Sequence, residues 1–200
     1  MKNNIVAFCG AGGTGKTVVL EALSKKLTEL GIEHKVHYSI VREFYASKGI
    51  ASEADLHKQT EEEKVAFQFE LAQFFIRKIN EVCEGYNGYV LCDRSIFDHF
   101  AYWTFSGINS IKLSEIRAYQ KLFDEYLEKV NSIWYFPYPA EFSKDVDPDS
   151  FRWAPPAKNL IIDSLILRQL EGMSIDYHWM NEGSIESRVN DILHYFKVTT

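Results

Sequence analysis

Two hundred residues, 46% hydrophobic and 25% charged, fit one globular domain that buries its own core without disulfides or a structural metal. A net charge of −6 argues against a dedicated nucleic-acid binder, which is usually basic. No run reaches the roughly 18 apolar residues of a membrane span, and the opening stretch is broken by glycine too early for a signal peptide.

In chain order, Ile5–Cys9 reads as a short buried strand ended by glycine, and from Thr17 a helical pattern follows, with Val18, Leu20, Leu23, Leu27 and Leu30 recurring. Between them Gly10, Ala11, Gly12, Gly13, Thr14, Gly15, Lys16 and Thr17 fit G-x-x-x-x-G-K-[ST]. That spacing suits phosphate. Glycines let backbone N–H groups face an anion closely, and the helix start adds free N–H groups and the positive end of its dipole. Lys16 is placed to reach the β- and γ-phosphates of ATP, and the Thr17 hydroxyl to ligate Mg²⁺.

His34–Tyr38 reads as a second strand, and Ser52–His57 as a small helix. Thr60-Glu61-Glu62-Glu63 is a capping box opening a long helix to Cys83, with Gly85 and Gly88 punctuating its end. Its apolar residues, Val65, Phe67, Phe69, Leu71, Phe74, Phe75, Ile76 and Ile79, cover more than one face, so both sides are expected to be buried. Gln68 among them needs hydrogen-bond partners if buried. Tyr89–Cys92 is a third strand, ending in Asp93-Arg94-Ser95. Ile96–Phe105 and Ser114–Val130 read as helices, Ile133–Phe136 as a fourth strand, and Pro137–Pro156 as loop. Lys158–Leu170 is helical, Ser174–Trp179 a fifth strand and Ser184–Phe196 a closing helix.

Strands alternating with helices predict a single α/β domain over residues 1–200, with a mostly parallel sheet covered on both faces. Ligands then bind at the C-terminal ends of the strands, where the glycine loop lies. Asp93 sits at that same edge. A carboxylate there can hold Mg²⁺ or take a proton from an attacking hydroxyl, and Arg94 can clamp a phosphate. The competing reading makes Asp93 the N-cap of the next helix and Arg94 its surface partner. Cys9, Cys83 and Cys92 form no C-x-x-C pair and read as buried thiols of a reducing, cytoplasmic protein. The six histidines show no metal-ligand spacing.

The phosphate loop, Asp93-Arg94-Ser95 and Phe67-Gln68 together resemble the P-loop kinases of small molecules. The likeness is to the deoxynucleoside and thymidylate kinase group and to the bacterial and phage ATPase/kinase family that includes nicotinamide riboside kinase domains. The resemblance implies strand order 2-3-1-4-5 and ATP- and Mg²⁺-dependent phosphoryl transfer to a nucleoside or nucleoside monophosphate, with a deoxy sugar expected. It implies metal contacts at Thr17 and Asp93, and acceptor contacts at Arg42, Glu43, Phe67, Gln68 and Arg94, the amide of Gln68 meeting the base. The related families carry a carboxylate just after strand two; Ser39 stands in its place here, which leaves the base open between Glu43 and Asp93. Residues 137–158 resemble a kinase lid with Lys144, Arg152 and Lys158 as its cations, Arg152 acting as an internal arginine finger. A homodimer is compatible with this family. The rival readings are a regulatory ATPase without an acceptor, a nicotinamide riboside kinase and a nucleic-acid-end kinase. The chain has no Asn-Lys-x-Asp guanine motif.

Overall fold

The computed structural model describes residues 4–38, 40–50, 59–139 and 156–197. In order they form β1 (Asn4–Cys9), α1 (Lys16–Glu29), β2 (His34–His37), α2 (Val41–Ser47), α3 (Glu61–Cys83), β3 (Tyr89–Asp93) and α4 (Ile96–Gly107). Then come α5 (Leu113–Leu127), β4 (Val130–Tyr135), α6 (Pro156–Gly172), β5 (His178–Trp179) and α7 (Ile185–Tyr195). The strands make one sheet in the order β2-β3-β1-β4-β5 that the resemblance implies, each neighbouring pair parallel as the alternation of strands and helices predicts.

The two-residue period of a strand sorts β1 between two cores. Ile5, Ala7 and Cys9 face the core built with α3, α4, α5 and α6. Val6 and Phe8 face the smaller core under α1 and α7. With both faces covered, β1 from Ile5 to Cys9 is fully buried, which is why it reads as an unbroken apolar run.

Three expectations need correction. Val130 opens β4, where it pairs with Ile5; α5 stops at Leu127. The fifth strand is only His178–Trp179: Ile175 N still donates to Leu170 O, closing the end of α6, and Ser174 takes a left-handed φ of 52°. Pro156 is the first residue of α6, where its fixed φ suits a helix start, and not the end of a loop. The small helix expected over Ser52–His57, together with Ser39, Lys144, Arg152 and most of the lid-like stretch, lies outside the described residues.

Candidate active site

Parallel register brings the loop and the second motif together. Phe8 pairs with Asp93, Cys9 with Tyr135, and His37 with Cys92, so four strands end at one edge. From there the chain turns through Gly10 to Gly15. Gly10 is required by space: at φ 146°, a Cβ would lie 2.3 Å from the carbonyl oxygen of Phe136. Phe136 N in turn donates to Cys9 O at 2.8 Å, pinning the end of β4 to the start of the loop. Gly15, at φ 85°, caps α1 without a side-chain hydrogen bond, so among the described residues its cap leaves the amides of the first turn open.

Lys16 is buried, 6% exposed. Its Nζ donates to Gly10 O at 2.7 Å, Ala11 O at 2.6 Å and Thr14 Oγ1 at 3.0 Å, closing the loop on itself. Burial pulls this lysine below its ordinary pKa, and the Asp98 carboxylate opposes the pull.

Thr17 Oγ1 donates to Asp93 Oδ2 at 3.0 Å. The N-cap of α4 is Ser95, in a capping box with Asp98, so Asp93 is not serving as that cap. The loop hydroxyl and the strand carboxylate, 76 residues apart, form one hard-oxygen corner beside the loop, and oxygen donors of this kind suit Mg²⁺.

Asp98 has no exposed surface. One oxygen accepts from Gly10 N at 3.2 Å; the other accepts from Ser95 N at 2.9 Å and Ser95 Oγ at 2.7 Å. Arg94 Nη1 lies 3.6 Å from Asp98 Oδ1, and its guanidinium sits 5.3 Å over the Tyr102 ring. Burial pushes the Asp98 carboxyl above the usual carboxylate range, opposed by Lys16 and then Arg94. Arg94 itself holds φ 120°, a costly backbone position for a non-glycine residue and one that gathers at functional sites.

From α6, buried Asn159 presents an Oδ1 with no partner among the described residues, 3.6 Å from where a Cβ of Gly12 would stand. One turn on, Asp163 Oδ2 accepts from Tyr135 Oη at 2.8 Å, fixing α6 to the end of β4. A cavity of about 560 Å³ opens beside the loop, bounded by Gly13, Gly15, Phe136, Met180, Glu182 and Arg188. Arg188 carries a buried Nε with no partner among the described residues.

The acceptor candidates are more dispersed. Arg42 and Glu43 lie on an exposed turn of α2, and Glu43 Oε1 pairs with Lys78 Nζ at 2.8 Å. Phe67 is buried against Phe44 and Tyr45, its ring centroid 5.1 and 5.4 Å from theirs. Gln68 is half-buried, its Oε1 unpartnered. Sequence reasoning missed Asp98, Tyr102, Asn159 and Arg188. Only Asp98 had left a signal, the Ser-x-x-Asp spacing of a capping box at Ser95.

The family AAA_28, described as an AAA domain, matches residues 5–188. No curated protein matches the chain. Among solved structures, NadR in complex with NAD and AMP-PNP is similar over 99% of this chain at 14% identity and a TM-score of 0.66; the match covers 51% of that protein, so the chain spans about half its length. Thymidylate kinase from Ehrlichia chaffeensis is similar over 98% of this chain and all of its own, at 14% identity and a TM-score of 0.63. Deoxyadenosine kinase from M. mycoides, with products dCMP and dCDP bound, covers the same shares at 12% identity and a TM-score of 0.66. These neighbours establish a P-loop nucleoside and nucleotide kinase-like fold, as the resemblance implies.

Proposed function

Because this chain belongs to the AAA_28 family of AAA domains, we propose that it binds ATP with Mg²⁺ at Gly10–Thr17 and transfers a phosphoryl group to a nucleoside or nucleoside monophosphate. The observation that carries the reading is the Thr17–Asp93 contact at 3.0 Å, which joins a phosphate-loop hydroxyl to a carboxylate at the end of the neighbouring strand. The thymidylate and deoxyadenosine kinases that share the fold supply the acceptor class of this proposal.

In this reading, Thr17 and Asp93 hold Mg²⁺, which when bound supplies positive charge to the phosphate oxygens. The loop amides from Gly10 to Gly15 and the first turn of α1 bind the phosphates. Lys16 exchanges its loop carbonyls for phosphate oxygens, keeping its charge in a nearly dry site. The cavity beside Gly13 and Gly15 takes the donor base, with Arg188 along its wall.

Arg94, held by Asp98 and the Tyr102 ring, faces the transferring group and neutralises charge developing there. Asn159 orients the same group from the side of α6. Of the two candidates for handling the acceptor hydroxyl, Glu43 is committed to Lys78 at an exposed position, whereas Asp93 is buried at the edge beside the loop. Asp93 is therefore the better candidate to orient that hydroxyl. Arg152, in the stretch before α6 that the resemblance reads as a lid, is proposed as the internal arginine finger. Catalysis of this kind is positioning plus electrostatics.

The test is a screen with labelled ATP and Mg²⁺ against nucleosides, nucleoside monophosphates and nicotinamide riboside. The proposal expects a phosphorylated product from a nucleoside or nucleoside monophosphate. Slow hydrolysis indifferent to every acceptor would point instead to a regulatory ATPase.

A further inference from the structure

On α6, Asn159 and Asp163 are four residues apart and therefore on one face of the helix. Three other inward residues of α6, Ile162, Ile166 and Leu170, are fully buried and apolar. Asn159 is buried too, and its Oδ1 stands beside Gly12 of the phosphate loop. Asp163 is half-buried. Its Oδ2 accepts from Tyr135 Oη at 2.8 Å, and Tyr135 pairs in register with Cys9, the residue before the loop. Asp163 Oδ1 is buried and, like Asn159 Oδ1, closes no hydrogen bond among the described residues. Such exceptions are few in folded proteins, and each needs an explanation.

Peptide geometry shows what the two oxygens face. The described peptide bonds are all trans, so the C=O and N–H of each unit point to opposite sides. Lys16 Nζ donates to Gly10 O at 2.7 Å and to Ala11 O at 2.6 Å. The N–H groups of the same two peptide units belong to Ala11 and Gly12, and they leave on the side away from Lys16. There the Ala11 amide faces the Asp163 carboxylate, and Asn159 Oδ1 stands against Gly12. Two consecutive peptides thus lie between Lys16 on one side and the two polar side chains of α6 on the other.

Packing alone does not call for a carboxylate at 163. An apolar side chain would cover the same surface without desolvating a charge. Burial pushes the Asp163 carboxyl above the usual carboxylate range, opposed by the Tyr135 hydroxyl, the Tyr138 amide, Lys16 and the Ala11 amide. Two of the four groups that hold its charge therefore belong to the phosphate loop and its lysine.

We propose that Asp163 and Asn159 are positioning residues for Lys16. They draw the Ala11 and Gly12 amides toward α6, which fixes the two carbonyls that carry the lysine. Their own hydrogen bonds close as Lys16 leaves those carbonyls for phosphate. The inference rests on the reading that Lys16 meets the phosphates of ATP, and it refines that reading: α6 holds the amides of Ala11 and Gly12, and the phosphates meet the others. The competing account makes the two side chains a structural tie between α6 and the sheet.

A double-mutant cycle tests this. Asp163→Asn keeps the size and an acceptor for Tyr135 but removes the charge facing Ala11. Asn159→Leu removes Oδ1 at similar volume. Turnover of ATP in Mg²⁺, with the acceptor that the screen selects, should fall about tenfold or more in each variant, while the KM for ATP rises less than about threefold, because the charge of Lys16 counts most where charge develops. In a Lys16→Ala chain the same substitutions should change the residual rate by less than about twofold, since the group they place is gone. The thermal midpoint of Asp163→Asn should hold or rise, because a desolvated carboxylate has been taken out of the fold. A structural tie would instead lower the midpoint and cost as much rate without Lys16 as with it. Equal losses in both backgrounds would overturn the proposal, as would unchanged kcat in both single variants. Should Asp163→Asn not fold, Tyr135→Phe loosens the same carboxylate by removing its hydroxyl partner, and the same cycle reads it.

ADP formation alone can report the cycle, which separates this inference from the acceptor reading. If no acceptor is phosphorylated and slow ADP formation still shows losses that depend on Lys16, the positioning stands and the kinase reading fails. If a nucleoside or nucleoside monophosphate is phosphorylated and the losses are independent of Lys16, the kinase reading stands and the positioning is overturned. A wild-type chain that turns over no ATP overturns both.

Discussion

Asp98 shows how one buried carboxylate can hold two motifs in register. It accepts from Gly10 in the phosphate loop and from Ser95 after β3, and it sits against Arg94. Asp98→Asn keeps the shape of the helix cap but removes the charge that anchors Arg94. The pair is a buried ion pair at 3.6 Å, and losing it leaves the Arg94 charge less firmly placed, so phosphoryl transfer should fall about tenfold to a hundredfold. Steady-state kinetics beside a melting curve will show whether the loss is catalytic; an equal loss of fold would reduce Asp98 to a cap. Lys16→Ala should lower transfer by about two to three orders of magnitude. Because Lys16 also closes the loop on Gly10 and Ala11, circular dichroism is needed to confirm that the domain survives. Asp93→Asn should weaken the Mg²⁺ dependence of turnover far more than it weakens nucleotide binding without metal. Titrating turnover with Mg²⁺, alongside a direct measurement of ATP binding, checks this.

At the scale of elements, α3 is the best case of a signal written locally. Thr60 Oγ1 accepts from Glu63 N at 3.2 Å while Glu63 Oε2 accepts from Thr60 N at 2.8 Å, the reciprocal cap that Thr-x-x-Glu predicts. Thr60→Ala should cost about 1 kcal/mol in urea denaturation and leave turnover unchanged. Elements whose ends are set by distant partners were harder to read. Val130 continues the apolar stripe of α5, and only its pairing with Ile5 across the sheet makes it strand. β5 has two residues because the chain is still closing α6 at Ile175, and only His178 and Trp179 reach Trp134 and Tyr135. The same distinction governs the site. The phosphate loop and Asp93 were legible because each is a local motif. Asn159 and Arg188 were not, since nothing near them in the chain announces a ligand. Even Asp98, with its visible cap spacing, gains its second role from Gly10, 88 residues away.

For the whole molecule, the burial of His99 against Phe75 sets a pH limit on stability. His99 is neutral in the fold, with a pKa of about 3 against an ordinary 6.5, so below 6.5 the unfolded chain binds a proton that the folded chain refuses. Stability contributed by the neutral ring is therefore fully present above 6.5 and declines as pH falls toward 3. Each pH unit in that window removes about 1.4 kcal/mol per proton taken up. Urea denaturation at pH 7, 6 and 5 should show the decline, and His99→Leu should flatten it. Among the described residues no helix is long and apolar enough to cross a membrane.

We propose that these strand ends form a phosphotransfer site with an acceptor. The most direct measurement is ADP formation from ATP in Mg²⁺, with and without each nucleoside and nucleoside monophosphate, by wild-type chain and Lys16→Ala in parallel. At least one of these acceptors is expected to raise ADP formation and to be phosphorylated in equal amount, and Lys16→Ala to lower both by about two to three orders of magnitude. Slow ADP formation that no acceptor changes, or acceptor-dependent turnover that survives in Lys16→Ala, would contradict it.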